Sequence, residues 1–427
     1  MPQPLSQDHL ALIGSIAQVL HGNGQQTAET IRTSQRLAAR FQGGLMLAPG
    51  WGELLLKPLQ PGAARIDTLD IIAVTPNNVG INRVVAANAL AEQVIKGRLA
   101  VPEAQRRIAA IAAMPPLPDA LFALACAAGA AALSVTFGVA HLAAVLIIFL
   151  SAGSGALVRR WLGRHGANGF AQAFVAALLA GMVGAASVRW NLSSDLRLIA
   201  VCPCMVLVPG PYLLNGTLDL LGNRMPLGMA RLIFAAIMLA AISAGLLVAF
   251  GVLGIDLPPA PAGRAVALWA AVMAGALAAA CFSIFFSMPL RLVGWPVLTA
   301  MIADGMRWAA MTWGHAGPVM GAGVAGLVVG AILTPVARRH HLPFAGIGFA
   351  SVVSLMPGVL VFRMAGGLLA LPAAVPADVL PLLQATVSDG LTALMVIAAM
   401  TIGIVMPKHA FDTLSVLPSF SGRRRCR

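Results

Sequence analysis

Val206-Leu-Val-Pro-Gly-Pro-Tyr-Leu-Leu-Asn-Gly216 sets a Pro-Gly break inside an apolar run, and Ser354-Leu-Met-Pro-Gly-Val-Leu-Val-Phe-Arg-Met364 repeats it 148 residues later. Superposing Pro209 on Pro357 also superposes Leu207 on Leu355 and Gly210 on Gly358. Proline removes a backbone donor and clashes with the preceding turn, and glycine lowers the cost of unwinding. Within a bilayer, freed backbone groups are tolerated only where they face protein or a watery cavity. Two matched breaks in membrane spans are therefore a pattern from which a polar site can be built.

The surrounding composition places both breaks in a membrane. The chain has 427 residues, 59% of them hydrophobic and only 10% charged, with a mean hydropathy of +0.86. Charge is concentrated at the N-terminus: residues 1–117 hold ten Lys/Arg and seven Asp/Glu, and the remaining 310 hold eighteen and eight. A small polar domain followed by a large apolar one is the expected organisation. The excess of +13 charges lies in short clusters between apolar runs, which fits membrane loops and argues against a nucleic-acid groove. Cys126, Cys202, Cys204, Cys281 and Cys426 form no metal or redox spacing. Residues 1–30 lack the apolar core of a signal peptide, which predicts a cytoplasmic N-terminus.

Residues 1–117 predict a compact cytoplasmic α+β domain. Leu12, Ile16, Val19 and Leu20 recur at helical spacing over 6–21, and a second helix runs over 25–41. Short strands are expected at 45–47, 53–57 and 65–74, then helices at 80–96 and 102–113. The prolines of Met114-Pro-Pro-Leu-Pro118 lead into ten apolar segments near 119–139, 141–158, 170–188, 197–215, 229–251, 265–287, 291–309, 317–337, 343–363 and 384–406. Each is close to the ~20 residues that cross a bilayer. With the N-terminus inside, thirteen Lys/Arg fall on the cytoplasmic side and five (Arg189, Arg197, Arg264, Arg307, Arg363) outside, so both termini are expected in the cytoplasm.

The 148-residue offset also matches Leu150-Ser-Ala…Arg159 with Leu298-Thr-Ala…Arg307. Residues 118–251 and 264–407 then form two five-span units, with a basic tail at 408–427. An odd span number gives successive units opposite orientations. The expected fold is a polytopic α-helical membrane protein, ten transmembrane helices in a five-plus-five inverted repeat, with a site near the midplane.

Pro209, Gly210, Asn215, Pro357 and Gly358 are the candidate transport-site residues. Asp304 and Asp389 are candidates for proton or ion coupling, because a carboxylate inside a bilayer is costly and kept for function. Arg307 and Arg363 are candidate anion contacts. Asn191 and Ser388 are weaker polar candidates, and Gly321, Gly323 and Gly326 predict close helix packing. No GxxxxGK[ST], GxSxG or HExxH occurs, and neither a metal site nor a cofactor is expected.

Val79-Gly-Ile-Asn-Arg-Val-Val-Ala-Ala-Asn-Ala-Leu-Ala-Glu-Gln-Val-Ile-Lys-Gly-Arg-Leu-Ala-Val-Pro-Glu-Ala-Gln-Arg-Arg-Ile111, with Pro115, Pro116 and Pro118 leading into the first span, resembles the threonine/serine exporter family. Val208-Pro-Gly-Pro with Asn215 and Asp219-Leu-Leu resembles that family's fourth span, and residues 343–363 its second half. The resemblance covers nearly the whole chain. It implies a cell (inner) membrane exporter of small polar amino acids, chiefly threonine and serine, driven by a proton or ion gradient. Split-gene relatives imply an alternative, export of dicarboxylates such as succinate. One departure is that Arg363 stands where the first half has Asn215. The expected partners are a small-molecule substrate, the lipid bilayer and a coupling ion, with a homo-oligomer as an option. A membrane-anchored hydrolase is the remote alternative.

Overall fold

The computed structural model describes residues 5–59, 70–74, 79–139, 141–190, 196–254, 266–371 and 375–414. Asn191, Arg264, residues 65–69 of the third expected strand and the basic end of the tail, with Cys426, lie outside the described residues.

The N-terminal domain has the expected α+β make-up. Helix α1 (Gln7–Gly22) starts where the Ser6 hydroxyl accepts a bond from the His9 amide at 3.3 Å, and α2 (Thr27–Arg40) follows. Strands β1 (Gly44–Pro49), β2 (Glu53–Leu59) and β3 (Asp70–Ala73) form an antiparallel sheet in sequence order. Alternation along β2 turns Leu54 and Leu56 inward, onto Leu12, Ile13, Ile16 and Leu20 of α1 and Leu37 of α2. Helices α3 (Ile81–Ile95) and α4 (Val101–Ala112) complete the core with Val84, Leu90 and Ile108, and Pro102 occupies the first turn of α4.

The second domain is helical: α5 (Asp119–Thr136), α6 (Leu142–Arg164), α7 (Gly169–Arg189), α8 (Leu196–Met205), α9 (Gly210–Leu221), α10 (Met225–Leu253), α11 (Leu268–Phe285), α12 (Gly294–Thr312), α13 (Pro318–His340), α14 (Phe344–Val352), α15 (Gly358–Ala370) and α16 (Pro376–Leu414). Among the described residues, seven helices are long and apolar enough to cross a membrane: α5, α6, α7, α10, α11, α13 and α16. Counting each bent pair as one span raises that number to nine; α8 meets α9 at 54°, and α14 meets α15 at 70°. The remaining expected span, 291–309, corresponds to α12, a 19-residue helix that carries Asp304 and Arg307 and is less apolar than the others.

The same helix pairs pack in each half. Helix α7 lies on α10 as α13 lies on α16, α6 touches α8 as α12 touches α14, and α9 contacts α10 as α15 contacts α16. Glycine makes the tightest of these contacts possible. A Cβ on Gly245 would lie 2.3 Å from the Phe174 carbonyl oxygen across the α7–α10 seam. One on Gly330 would lie 2.3 Å from that of Ile404 across α13–α16, and one on Gly326 2.4 Å from that of Met400. The halves meet where α5 packs on α11, with Phe122 stacked on Phe285 at 5.1 Å, and where α8 touches α15 and α9 touches α14.

The N-terminal domain packs on one end of this bundle. The Ile81 and Asn82 amides donate to the Phe286 and Ser287 carbonyls just past α11, at 3.0 and 3.2 Å. Asn88 Nδ2 donates to the His341 carbonyl at the end of α13 at 3.1 Å. Trp51 packs on Phe234 near the start of α10, and Phe234 on Phe170 at the start of α7. Helices α7 and α10 therefore begin near the N-terminal domain, and α11 and α13 end there.

Candidate functional site

The two Pro-Gly breaks share one backbone geometry. Pro209 precedes α9 with φ −83° and ψ 55°, and Pro357 precedes α15 with φ −80° and ψ 42°. The Pro209 carbonyl accepts the Tyr212 amide at 3.1 Å, and the Pro357 carbonyl accepts the Leu360 amide, 148 residues on, at 3.0 Å. Each glycine is closed over by a side chain of the opposite half. A Cβ on Gly210 would lie 1.8 Å from Cε2 of Phe349 in α14, and one on Gly358 2.9 Å from Cε of Met205 in α8. The breaks thus face one another across the junction of the halves.

Asp304 joins the second break. The Ser354 hydroxyl, three residues before Pro357, donates to its carboxylate at 3.1 and 3.3 Å. Gly275 of α11 leaves room for that carboxylate, since a Cβ there would lie 1.8 Å from Oδ2. Asp304 is buried, and its hydrogen-bond partner among the described residues is a hydroxyl, not a cation. Arg307, one turn on, keeps Nε buried and without a hydrogen-bond partner among the described residues.

The first break has a basic counterpart. Arg159 stands 148 residues before Arg307, and its Nε and Nη1 are buried without hydrogen-bond partners among the described residues. It lines a cavity of about 10 Å³, enough for one water, with Ser151 and Ala156 of α6, Cys126 of α5 and Val206 and Leu207 at the break. Ala156 occupies the position equivalent to Asp304, so the first half has the buried arginine without the carboxylate. Sequence reasoning counted Arg159 among the loop cations. Its match to Arg307 at the 148-residue offset was visible in the sequence, but the burial of its guanidinium was not.

The other expected site residues are engaged elsewhere. Arg363 Nε and Asp389 Oδ2 pair at 2.8 Å between α15 and α16, so anion contact and coupling carboxylate neutralise each other. Asn215 Nδ2 donates to the Gly24 carbonyl of the N-terminal domain at 3.3 Å. One turn further, Asp219 pairs with Arg231 at 2.7 Å, with Arg224 at 3.7 Å, and accepts from the Thr27 hydroxyl at 3.1 Å. Asp219 and Arg231 are both almost fully buried. This polar cluster under the N-terminal domain went unnoticed in the sequence, although a lone Asp and Arg in apolar runs signalled it.

His21 of α1 lies in the same seam. Burial, reinforced by the charge of Arg231, lowers its pKa to about 4 against the pull of the Gly50 carbonyl, so its imidazole is neutral.

A family model described as "Putative threonine/serine exporter" matches residues 11–253, and a second, "Threonine/Serine exporter, ThrE", matches residues 271–410. A Mycobacterium tuberculosis protein described as "Probable threonine/serine exporter" is 26% identical over 366 residues, which cover 82% of this chain and 68% of that protein. No solved structure matches the chain. The two family models meet near the junction of the halves and between them include both breaks, Asp304 and Arg159. With many apolar helices, this is a membrane protein, a transporter and not an enzyme, and it belongs to the threonine/serine exporter family.

Proposed function

We propose that this chain is a secondary, gradient-driven exporter of small polar amino acids, threonine and serine foremost, in the cytoplasmic (inner) membrane. The observation that carries the reading is the pair of prolyl breaks, alike in backbone and each closed by a side chain of the other half. Unwound backbone beside half-helix ends supplies free amides and carbonyls to a polar solute in an apolar setting.

Ten spans follow if the seven apolar helices, the two bent pairs and α12 all cross. Inversion of the halves is supported by direction: α7 begins beside the N-terminal domain, whereas its counterpart α13 ends there. Equal packing partners in the two halves support duplication. The basic residues orient the N-terminal domain and both termini to the cytoplasm.

In this mechanism the halves rock about the facing breaks, exchanging access between the two sides. Asp304 carries the coupling proton, because a buried carboxylate held by a hydroxyl and no cation can be neutral or charged with little rearrangement. Asp389 is a poorer carrier, since Arg363 holds it in a pair. At the first break, Arg159, whose Nε and Nη1 have no hydrogen-bond partner among the described residues, takes the substrate carboxylate once the cavity opens. The dicarboxylate alternative relied on Arg363 or Arg307; Asp389 already pairs with Arg363, and Arg307 stands one turn from Asp304.

Counterflow in proteoliposomes tests the reading. Vesicles loaded with unlabelled threonine should accumulate labelled threonine and serine, and a proton gradient should bias the flux. Absence of both amino-acid fluxes, or flux of succinate alone, would refute it.

A further inference from the structure

The N-terminal domain holds the two halves of the bundle by different means. Its grip on the second half runs through backbone. Ile81 and Asn82 open α3, and their amides are among those that a helix leaves without internal partners. They donate to the Phe286 and Ser287 carbonyls just past the end of α11, at 3.0 and 3.2 Å, so the two helix ends satisfy one another. The Ile81 side chain is fully buried among the apolar residues of the bundle, and a Cβ on Gly346 of α14 would lie 3.4 Å from its Cδ1. Asn88 adds its bond to the His341 carbonyl at 3.1 Å. Separating α3 from this half would strip both helix ends of their partners and uncover a buried isoleucine, so parting here is costly.

Its grip on the first half runs through side chains and falls on α9, the half-helix that leaves the first break. Asn215 Nδ2 donates to the Gly24 carbonyl in the turn between α1 and α2 at 3.3 Å, and the Thr27 hydroxyl donates to Asp219 Oδ2 at 3.1 Å. Trp51, in the turn between β1 and β2, packs on Tyr212 and Phe234 with ring centroids 6.1 and 5.1 Å away. His21 Nε2 donates to the Gly50 carbonyl at 3.3 Å and ties these two turns together. Parting here is less costly. Asp219 keeps Arg231 at 2.7 Å when Thr27 leaves, so no charge is orphaned, and water can replace both bonds. Rings link the two grips: Phe286, whose carbonyl holds Ile81, packs on Phe349 at 6.2 Å, and Phe349 covers Gly210 at the head of α9.

We propose that the N-terminal domain is a gate at the cytoplasmic end of the bundle, docked permanently on the second half and closing on α9 of the first. The proposal rests on the transport reading, in which the halves move against one another about the breaks. Such movement must separate the domain from one half, and the bonding assigns the separation to the first. With the gate closed, Phe349 pins α9 at its head and Thr27 pins it near its far end, which bars the first break from this side. Opening releases Gly24, Thr27 and Trp51 together, while Ile81 and Asn82 keep their carbonyls.

Cysteine accessibility in the purified full chain, reconstituted in lipid with Cys426→Ser as background, tests the gate. Thr27 and Ile81 are 2% and 0% exposed, so the closed arrangement protects both. A polar maleimide should label the Thr27→Cys chain ~10-fold or more faster than the Ile81→Cys chain, since only the first-half seam opens to water. Should either substitution prevent folding, spin labels at exposed positions give a second measurement. Gln35→Cys of α2 is paired with Met225→Cys at the start of α10, and separately with Arg339→Cys in the last turn of α13. The Met225 pair should show two distances and the Arg339 pair one. Equal labelling of the two chains, a second distance in the Arg339 pair, or a single distance in the Met225 pair overturns the proposal. Threonine counterflow on the same chains keeps the two readings apart: flux with a single Met225-pair distance defeats the gate alone, and two such distances without flux defeat the transport reading alone.

Discussion

Gly210→Ala and Gly358→Ala are nominally the same substitution at equivalent positions, yet the two breaks predict different costs. At Gly210 the new methyl would lie 1.8 Å from the Phe349 ring, well inside contact distance. That ring is fully buried and backed by Phe282 and Phe286, with centroids 5.8 and 6.2 Å away. It cannot retreat without moving both neighbours, and overpacking of this kind costs ~1–3 kcal/mol. A midpoint of ~2 kcal/mol is a factor of about 30 in any equilibrium between the closed arrangement and its alternatives. At Gly358 the methyl would meet Cε of Met205 at 2.9 Å, the far end of a flexible side chain. Methionine yields by changing rotamer, so the cost there should stay below about 1 kcal/mol. Thermal melting in detergent and threonine counterflow should both rank the chains: unaltered, then Gly358→Ala close behind, then Gly210→Ala far below. Adding Phe349→Leu to Gly210→Ala should restore a large part of the loss, because the two substitutions act on one contact. If Gly358→Ala is as damaging as Gly210→Ala, or if Phe349→Leu brings no recovery, the breaks do not close against one another as described.

Asp304→Asn should abolish the response of threonine flux to a proton gradient while leaving counterflow measurable. Ser354→Ala, which removes the hydroxyl at 3.1 Å, should shift the pH profile of transport; an unchanged profile in both would remove Asp304 from coupling. Asp219→Asn leaves the buried Arg231 without its anion and should destabilise the chain by ~3–5 kcal/mol, seen as a lower melting temperature. Replacing both as Asp219→Asn/Arg231→Gln should recover part of that loss. His21 binds its proton with a pKa of about 4 when folded and near 6.5 when unfolded, so the unfolded chain takes up more protons between those values. Stability should therefore fall by ~3 kcal/mol as pH drops from 6.5 to 4, and His21→Asn should flatten that slope in pH-dependent melting. Glu92, whose carboxyl is held low by Arg36, loses stability in the same direction on acidification, so some slope should remain in the variant.

The sequence revealed what depends on local chemistry and concealed what depends on neighbours. Pro209-Gly210 and Pro357-Gly358 were legible because proline and glycine break a helix whatever surrounds them, and the structure bends at both. The N-terminal helices and strands were legible because the period of the apolar residues changes from helical to alternating and back. Residue roles were harder to read. Asp389 looked like an isolated carboxylate, but Arg363, on the next helix and 26 residues away, removes its charge. Asn215 looked like a ligand group beside the break, but its carboxamide is spent on Gly24, 191 residues distant. Arg159 was hidden for the opposite reason. The rule that assigns orientation counts every arginine near a helix end as a loop cation, and so cannot recognise one whose guanidinium turns back into the bundle. In a chain with so few charges, each one must be placed by its partners before it is given a function. Asp304, bonded to a hydroxyl, and Arg159 and Arg307, each with a buried Nε that has no hydrogen-bond partner among the described residues, flank the two breaks from opposite halves. On the proposed reading, a base at both positions and an acid at only one present unlike charges to the two ends of a substrate, as recognition of a zwitterion requires.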